Sequence, residues 1–87
     1  MTTITHKSNF GNIKRSMTTC REAANDINAF YGLNVKFYGR NEYNASGKSY
    51  VIIPERDEIH EFESHGDAYM FLLDLDTELT EAEFAAC

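Results

Sequence analysis

The stretch Ser49-Tyr50-Val51-Ile52-Ile53 narrows the folds open to this chain more than any other segment. It is apolar and β-branched at both odd and even positions. Such a strand belongs inside a sheet, covered on at least one face. Pro54 ends it, and Pro54-Glu55-Arg56-Asp57 reads as a tight turn. Upstream, Leu33, Val35 and Phe37 alternate with Asn34, Lys36 and Tyr38, the period-two pattern of a half-buried strand. Asn41, Asn44, Ser46 and Gly47 make residues 39–48 a turn or short hairpin loop. The sequon Asn44-Ala45-Ser46 falls there and reads as a turn. A third strand, about Glu58 to Phe62, has Ile59 and Phe62 on opposite faces and reads as an edge guarded by its charges.

Helices flank the strands. Cys20, Ala23, Ala24, Ile27, Phe30 and Tyr31 recur at the spacing of one helical face. Thr19 and Glu22 have the capping-box form, and Gly32 suits the left-handed position that ends a helix. Ser64 with Asp67 opens a second helix, whose stripe is Ala68, Phe71, Leu72, Leu75 and Leu79. Thr80 and Glu83 repeat the capping pattern, which predicts a kink or a short final helix over 80–86. Ile4, Phe10 and Ile13 suit an extra strand, a helical turn or a loosely docked arm over residues 1–15. The expected fold is therefore α+β in the order α-β-β-β-α, a three-stranded antiparallel sheet with helices on one face.

At 87 residues the chain has room for one domain, 1–87, and a small core. Its 43% hydrophobic and 13% aromatic content suffices to build that core. No apolar run is long enough for a signal peptide or a membrane span, and the two cysteines, Cys20 and Cys87, do not make a disulfide scaffold. A cytoplasmic, reduced protein with Cys87 as a free surface thiol is expected, with no membrane partner.

The net charge of −6 conceals a split. Residues 1–48 carry seven basic and three acidic side chains, a balance of +4. Residues 49–87 carry Arg56 alone against eleven acids, a balance of −10. Asymmetry of this kind points to a polarised surface and a charged partner. The acidic total argues against general binding of nucleic acid or anionic membrane.

Motifs for chemistry are thin. Among His6, Cys20, His60, His65 and Cys87 the only near pair is His60 and His65, without a second pair to complete a zinc site. Asp74, Asp76 and Glu78 imitate the start of a calcium loop, but Leu79 and Ala85 occupy the positions that demand Gly and Glu. Gly11, Gly32, Gly39, Gly47 and Gly66 are too scattered to cradle a phosphate as a loop, and no nucleophile elbow is present. No catalytic residue, metal or cofactor is expected.

The acids offer a contact set instead: Glu58, Glu61 and Glu63 beside the third strand, and Asp67, Asp74, Asp76 and Glu78 on the second helix, with Glu81 and Glu83 beyond. Carboxylates spread over neighbouring elements stand in for backbone phosphates and attract a protein that grips nucleic acid with Lys and Arg. Tyr31, Tyr38, Tyr43, Tyr50 and Phe84 are candidate aromatic anchors.

The α-β-β-β-α order is also similar to the double-stranded RNA-binding domain, with Lys36, Arg40 and Lys48 along the first two strands. That family places lysines at the start of its second helix, where this chain reads Glu63-Ser64-His65-Gly66-Asp67. The runner-up function, a small nucleic-acid-binding or regulatory module using the basic first half, rests on this likeness. In size, element order, acidic second half and the stretch Glu61-Phe62-Glu63-Ser64-His65-Gly66-Asp67-Ala68, the chain resembles the small acidic proteins of bacteriophages and mobile elements. Anti-CRISPR and anti-restriction proteins are among them. That resemblance implies a non-catalytic inhibitor whose partner is a host protein or protein–RNA complex with a basic nucleic-acid-binding surface, met in the host cytoplasm if the chain is phage-encoded. Monomer and homodimer are both open, Cys87 and the Tyr-rich strands suiting a dimer.

Overall fold

A computed structural model describes residues 1–10 and 12–86, without the side chains of 84–86; Cys87 and the side chain of Phe84 thus lie outside the described residues. The element order is β1 (Thr2–Thr5), α1 (Met17–Tyr31), β2 (Lys36–Tyr38), β3 (Ser49–Ile53), a single 3-10 turn over Pro54–Arg56, β4 (Glu58–Phe62) and α2 (His65–Ala86). The fold is α+β, as the periodicities predict, with one strand more than expected. The sheet runs β1-β4-β3-β2 and is mixed: β2, β3 and β4 are antiparallel neighbours, and β1 lies parallel to β4.

That extra strand corrects two expectations. The sheet is four-stranded and mixed, not three-stranded and antiparallel. β4 is interior, with β1 and β2 as the edges. β1 pairs Thr2, Thr3, Ile4 and Thr5 with Glu58, Ile59, His60 and Glu61. A segment with one apolar residue in four has no hydrophobic alternation to betray it, and its partner lies 56 residues away. Backbone hydrogen bonding, not burial, makes it a strand.

β3 meets the expectation for a central strand, all five residues being buried. Its register sorts the sheet into two faces. Phe37, Val51, Ile53 and Phe62 share one face, and with Cys20, Ala24 and Ile27 of α1 and Ala68, Leu72 and Leu75 of α2 they form the core. Burying large aliphatic side chains of this kind supplies about 1.5–3 kcal/mol each before entropy is counted.

Helix ends follow local chemistry. α1 starts three residues earlier than the Thr19–Glu22 pattern predicts, because the Ser16 side chain accepts the Thr19 N–H at 3.1 Å. Gly32 closes it at φ 68°, in the left-handed region where a side chain is penalised. The Asn28 amide bonds both backbone groups of Val35, at 2.7 and 2.8 Å, so the chain reverses tightly and β2 begins only at Lys36. α2 begins as predicted, with Asp67 N–H donating to the Ser64 hydroxyl at 3.2 Å. It runs on through Thr80 to Ala86 as one helix, the Thr80 hydroxyl donating back to the Asp76 carbonyl at 2.9 Å within the helix instead of capping a new one.

The two helices lie side by side and point the same way. The Cys20 thiol donates to the His65 carbonyl at 3.4 Å near their starts, and the Tyr31 hydroxyl donates to the Asp76 carboxylate at 3.0 Å near the end of α1. Both N-termini therefore sit at one end of the molecule. At about 1.5 Å per residue, the 22 residues of α2 span about 33 Å, and its last ten, after Asp76, extend beyond α1.

Candidate partner-binding surface

The seven acids of the expected contact set fall in three settings. Glu58, Glu61 and Asp67 are engaged within the fold. Glu58 Oε1 lies 3.1 Å from His60 Nε2, and His60 Nδ1 lies 2.8 Å from His6 Nε2, a chain of three groups that ties the end of β1 to β4. Glu61 accepts the Tyr50 hydroxyl at 2.7 Å and the Lys48 ammonium at 3.2 Å. The Tyr50 bond heads the causes that hold the Glu61 carboxyl below its ordinary pKa, against a smaller opposing effect of burial. Asp67 is only 5% exposed. Burial works to raise its pKa, but donors outweigh it and hold the carboxyl below its usual range. They are the Ser64 hydroxyl at 2.7 Å, the Phe10 N–H at 2.7 Å, the Ser8 hydroxyl at 3.0 Å and the Asn9 N–H at 3.0 Å.

Glu63 and Glu78 are exposed and ion-paired, Glu63 with Lys48 at 3.5 Å and Glu78 with Arg56 at 3.0 Å. Pairs this open are worth at most about 1 kcal/mol, so a stronger partner displaces them readily. Asp74 and Asp76 are exposed without a cationic neighbour among the described residues; Asp76 only accepts the Tyr31 hydroxyl. Glu81 and Glu83 extend the same open series. α2 carries no Lys or Arg at all.

Beside these acids the helices leave a groove of about 710 Å3. Its floor includes Ala23, Ile27, Tyr69 and Leu72, its rim includes Phe30 and Leu73, and Asp26, Asp76 and Glu83 stand around it. Phe30 belongs to the apolar stripe of α1, yet is 76% exposed.

The aromatic candidates divide. Tyr31 joins the helices through Asp76 and Thr80. Tyr38, Tyr43 and Tyr50 cluster, with ring centroids 5.5 and 4.7 Å apart in sequence, as loop 39–48 folds back over the sheet. Tyr50 is buried there, its hydroxyl bonded to Glu61, Asn44 and Ser46. Asn44 also accepts the Ser46 N–H at 3.0 Å, so the sequon does form a turn.

His60 and His65 belong to different neighbourhoods: His60 stacks among His6, Phe62 and Phe71, while His65 accepts the Arg40 N–H at 3.4 Å. Among the described residues no three of His, Cys, Asp and Glu are grouped to hold a metal ion, and no helix is long and apolar enough to cross a membrane. Burial pushes the Cys20 thiol up to about 11, leaving it protonated and unreactive at neutral pH. The groove between the helices had no separate sequence signal, apart from the excess length of α2 over α1.

No family model matches the chain, and neither the curated proteins nor the solved structures yield a match.

Proposed function

We propose that this protein is a non-catalytic inhibitor that docks the outer half of α2 and the adjoining groove on the basic, nucleic-acid-binding surface of another protein. The observation that carries the reading is the run from Asp74 to Glu83. Five exposed carboxylates run along α2, Asp74 and Asp76 beside the end of α1 and Glu78, Glu81 and Glu83 on the part that projects past it, and among the described residues only Glu78 meets a cation. Their like charges repel one another, and Glu83 lies in the last turn of α2, where the helix dipole also disfavours an acid. The isolated chain thus keeps an electrostatically unfavourable arrangement, which a cationic partner relieves.

Such a partner presents Lys and Arg spaced to grip phosphates, and the carboxylates occupy them in the place of nucleic acid. Phe30 and Leu73 supply apolar contact at the centre of the patch, where desolvation strengthens the surrounding pairs. CRISPR effector complexes and restriction enzymes are the class of target that the chain's size and acidity suggest.

Pull-down from bacterial lysate, with salt elution and mass spectrometry, tests the reading. Recovery of a nucleic-acid-handling complex, released by salt and no longer binding its DNA or RNA while this chain is attached, is the expected result. The triple variant D74K/D76K/E78K should fold normally and lose the interaction by at least about a hundredfold, since each charge pair at an interface contributes about 1.5 kcal/mol or more. Full binding by the triple variant rejects the acidic surface as the contact. Recovery of no protein, with tight binding of RNA instead, favours the basic-half module.

A further inference from the structure

Tyr69, Leu73, Asp76, Thr80 and Glu83 are spaced alternately by four and three residues, so they form one row along the α2 wall of the groove. The core takes a different row of the same helix, Ala68, Leu72 and Leu75. On the facing wall, Ala23, Asp26, Ile27 and Phe30 repeat the spacing along α1. Rows of this kind are what a third helix packs against, its side chains entering the holes between them.

Every residue that lines the groove lies in α1 or α2. Away from the helix ends, the backbone groups of both walls are bonded within their own helices. An extended segment laid there would bury its own N–H and C=O groups without partners, whereas a helix arrives with them paired. The shape of the site therefore selects a helix.

Charge selects its composition. Asp26, Asp76 and Glu83 are the charged side chains on the walls, and none of them is in an ion pair among the described residues. The last turn of α1, which holds Phe30 and Tyr31, adds the negative end of its dipole and has no basic residue to offset it. Among these acids stand Phe30, 76% exposed, and Leu73, 39% exposed, above Ile27 and Leu72. At the inner end Arg15 rests on the Tyr69 ring, 4.9 Å from its centroid, so the acids of α2 lie toward its outer end. A second copy of this chain does not match the site: α2 has no Lys or Arg, and the apolar stripe of α1 is buried as far as Ile27.

We propose that the groove receives a basic amphipathic helix of the partner, antiparallel to α1 and α2, with its apolar side chains on Phe30, Tyr69 and Leu73 and its Lys and Arg on Asp26, Asp76 and Glu83. This rests on the docking reading above and names the element through which that partner is engaged. Antiparallel placement sets the positive end of the incoming helix beside the negative ends of α1 and α2.

Amide chemical shifts of the full chain at low salt, with a synthetic Leu/Lys peptide of about 18 residues patterned as one apolar helical face, test this. The control is a peptide of the same composition, scrambled to abolish that face. Saturable shifts at Ile27, Phe30 and Leu73 are expected, with a dissociation constant of about 100 μM or tighter. The scrambled peptide should bind at least about tenfold more weakly. F30A/L73A, at two exposed positions, should keep the fold and weaken the helical peptide at least about tenfold. No saturable shift, equal affinity for the two peptides, or unchanged affinity in F30A/L73A overturns the proposal. So does a dimer in sedimentation that F30A/L73A dissolves, which assigns the groove to a second copy. In the lysate pull-down, retention of the complex by F30A/L73A but not by D74K/D76K/E78K rejects the groove and leaves the acidic docking surface standing. Binding of the helical peptide, with no nucleic-acid-handling complex recovered, keeps the groove as a helix site and sinks the docking reading.

Discussion

Asp67 and Asp76 stand on one helix, two and a half turns apart, and the fold uses them in opposite ways. Asp67 is buried at the start of α2, receives four hydrogen bonds, and ties residues 8–10 to the helix. Asp76 is exposed, accepts one hydroxyl from Tyr31, and begins the stretch of α2 that α1 no longer covers. Around Asp67 the helix dipole favours the acid and the neighbouring chain supplies donors. Beyond Asp76, acids accumulate toward the C-terminal end of α2, with Glu83 in the last turn and no cation there to offset the dipole. A carboxylate that completes the fold is satisfied where it stands. One that the fold leaves unsatisfied is free for a partner.

The sharpest way to break this contrast is to remove one charge at each end. D67N leaves the shape but takes the charge from four donors, and should cost about 3 kcal/mol in urea denaturation at neutral pH. D76N, with one exposed hydrogen bond, should cost under about 0.5 kcal/mol. Equal losses would mean that the two ends do not differ in this way. Lowering the pH should have the D67N effect in part. Asp67 titrates below its usual value in the folded chain, so its contribution is present above pH 3.8 and lost as pH falls through the lower folded pKa.

A smaller effect of opposite sign is expected at the outer end. E81K/E83K places cations in the last turns and removes like-charge repulsion, and should raise stability by about 0.5–1 kcal/mol at low salt, less at high salt. No gain would show that the outer acids carry no electrostatic cost.

The smallest expected effect concerns His6, which joins β1 to the rest of the sheet. Burial, and then the neighbouring His60, lower its pKa below 6.5. Its ring faces His60, Phe62 and Phe71, with Glu58 beyond His60. The unfolded chain therefore binds a proton more readily than the folded one. Stability should fall as pH drops below 6.5 and level off below the lowered folded value. H6Q should flatten that part of a denaturation-versus-pH profile, and an unchanged slope would remove His6 from the account.

Much of the fold can be read in the chain because its signals are local. The stripe Cys20, Ala24 and Ile27, the terminating Gly32, the buried run 49–53 and the Ser64–Asp67 cap all depend on residues within a turn or two of one another. β1 escapes such reading, since Thr2–Thr5 has no hydrophobic alternation and is a strand only because β4 offers its edge. The candidate contact set is legible as composition and not as placement. Glu58, Glu61 and Asp67 read as surface acids until donors distant in sequence, His6, Thr5 and residues 8–10, arrive beside them or their partners.

By itself, then, the sequence determined an acidic second half, two amphipathic helices and a central apolar strand, because periodicity and charge are properties of neighbours along the chain. Only the tertiary structure decided that the helices run parallel, that α2 outreaches α1, and which of the acids stay open. Those outcomes depend on which segments meet across 45 to 59 residues of chain, and a hydrogen-bond donor brought from that distance decides whether a carboxylate faces inward or remains for a partner.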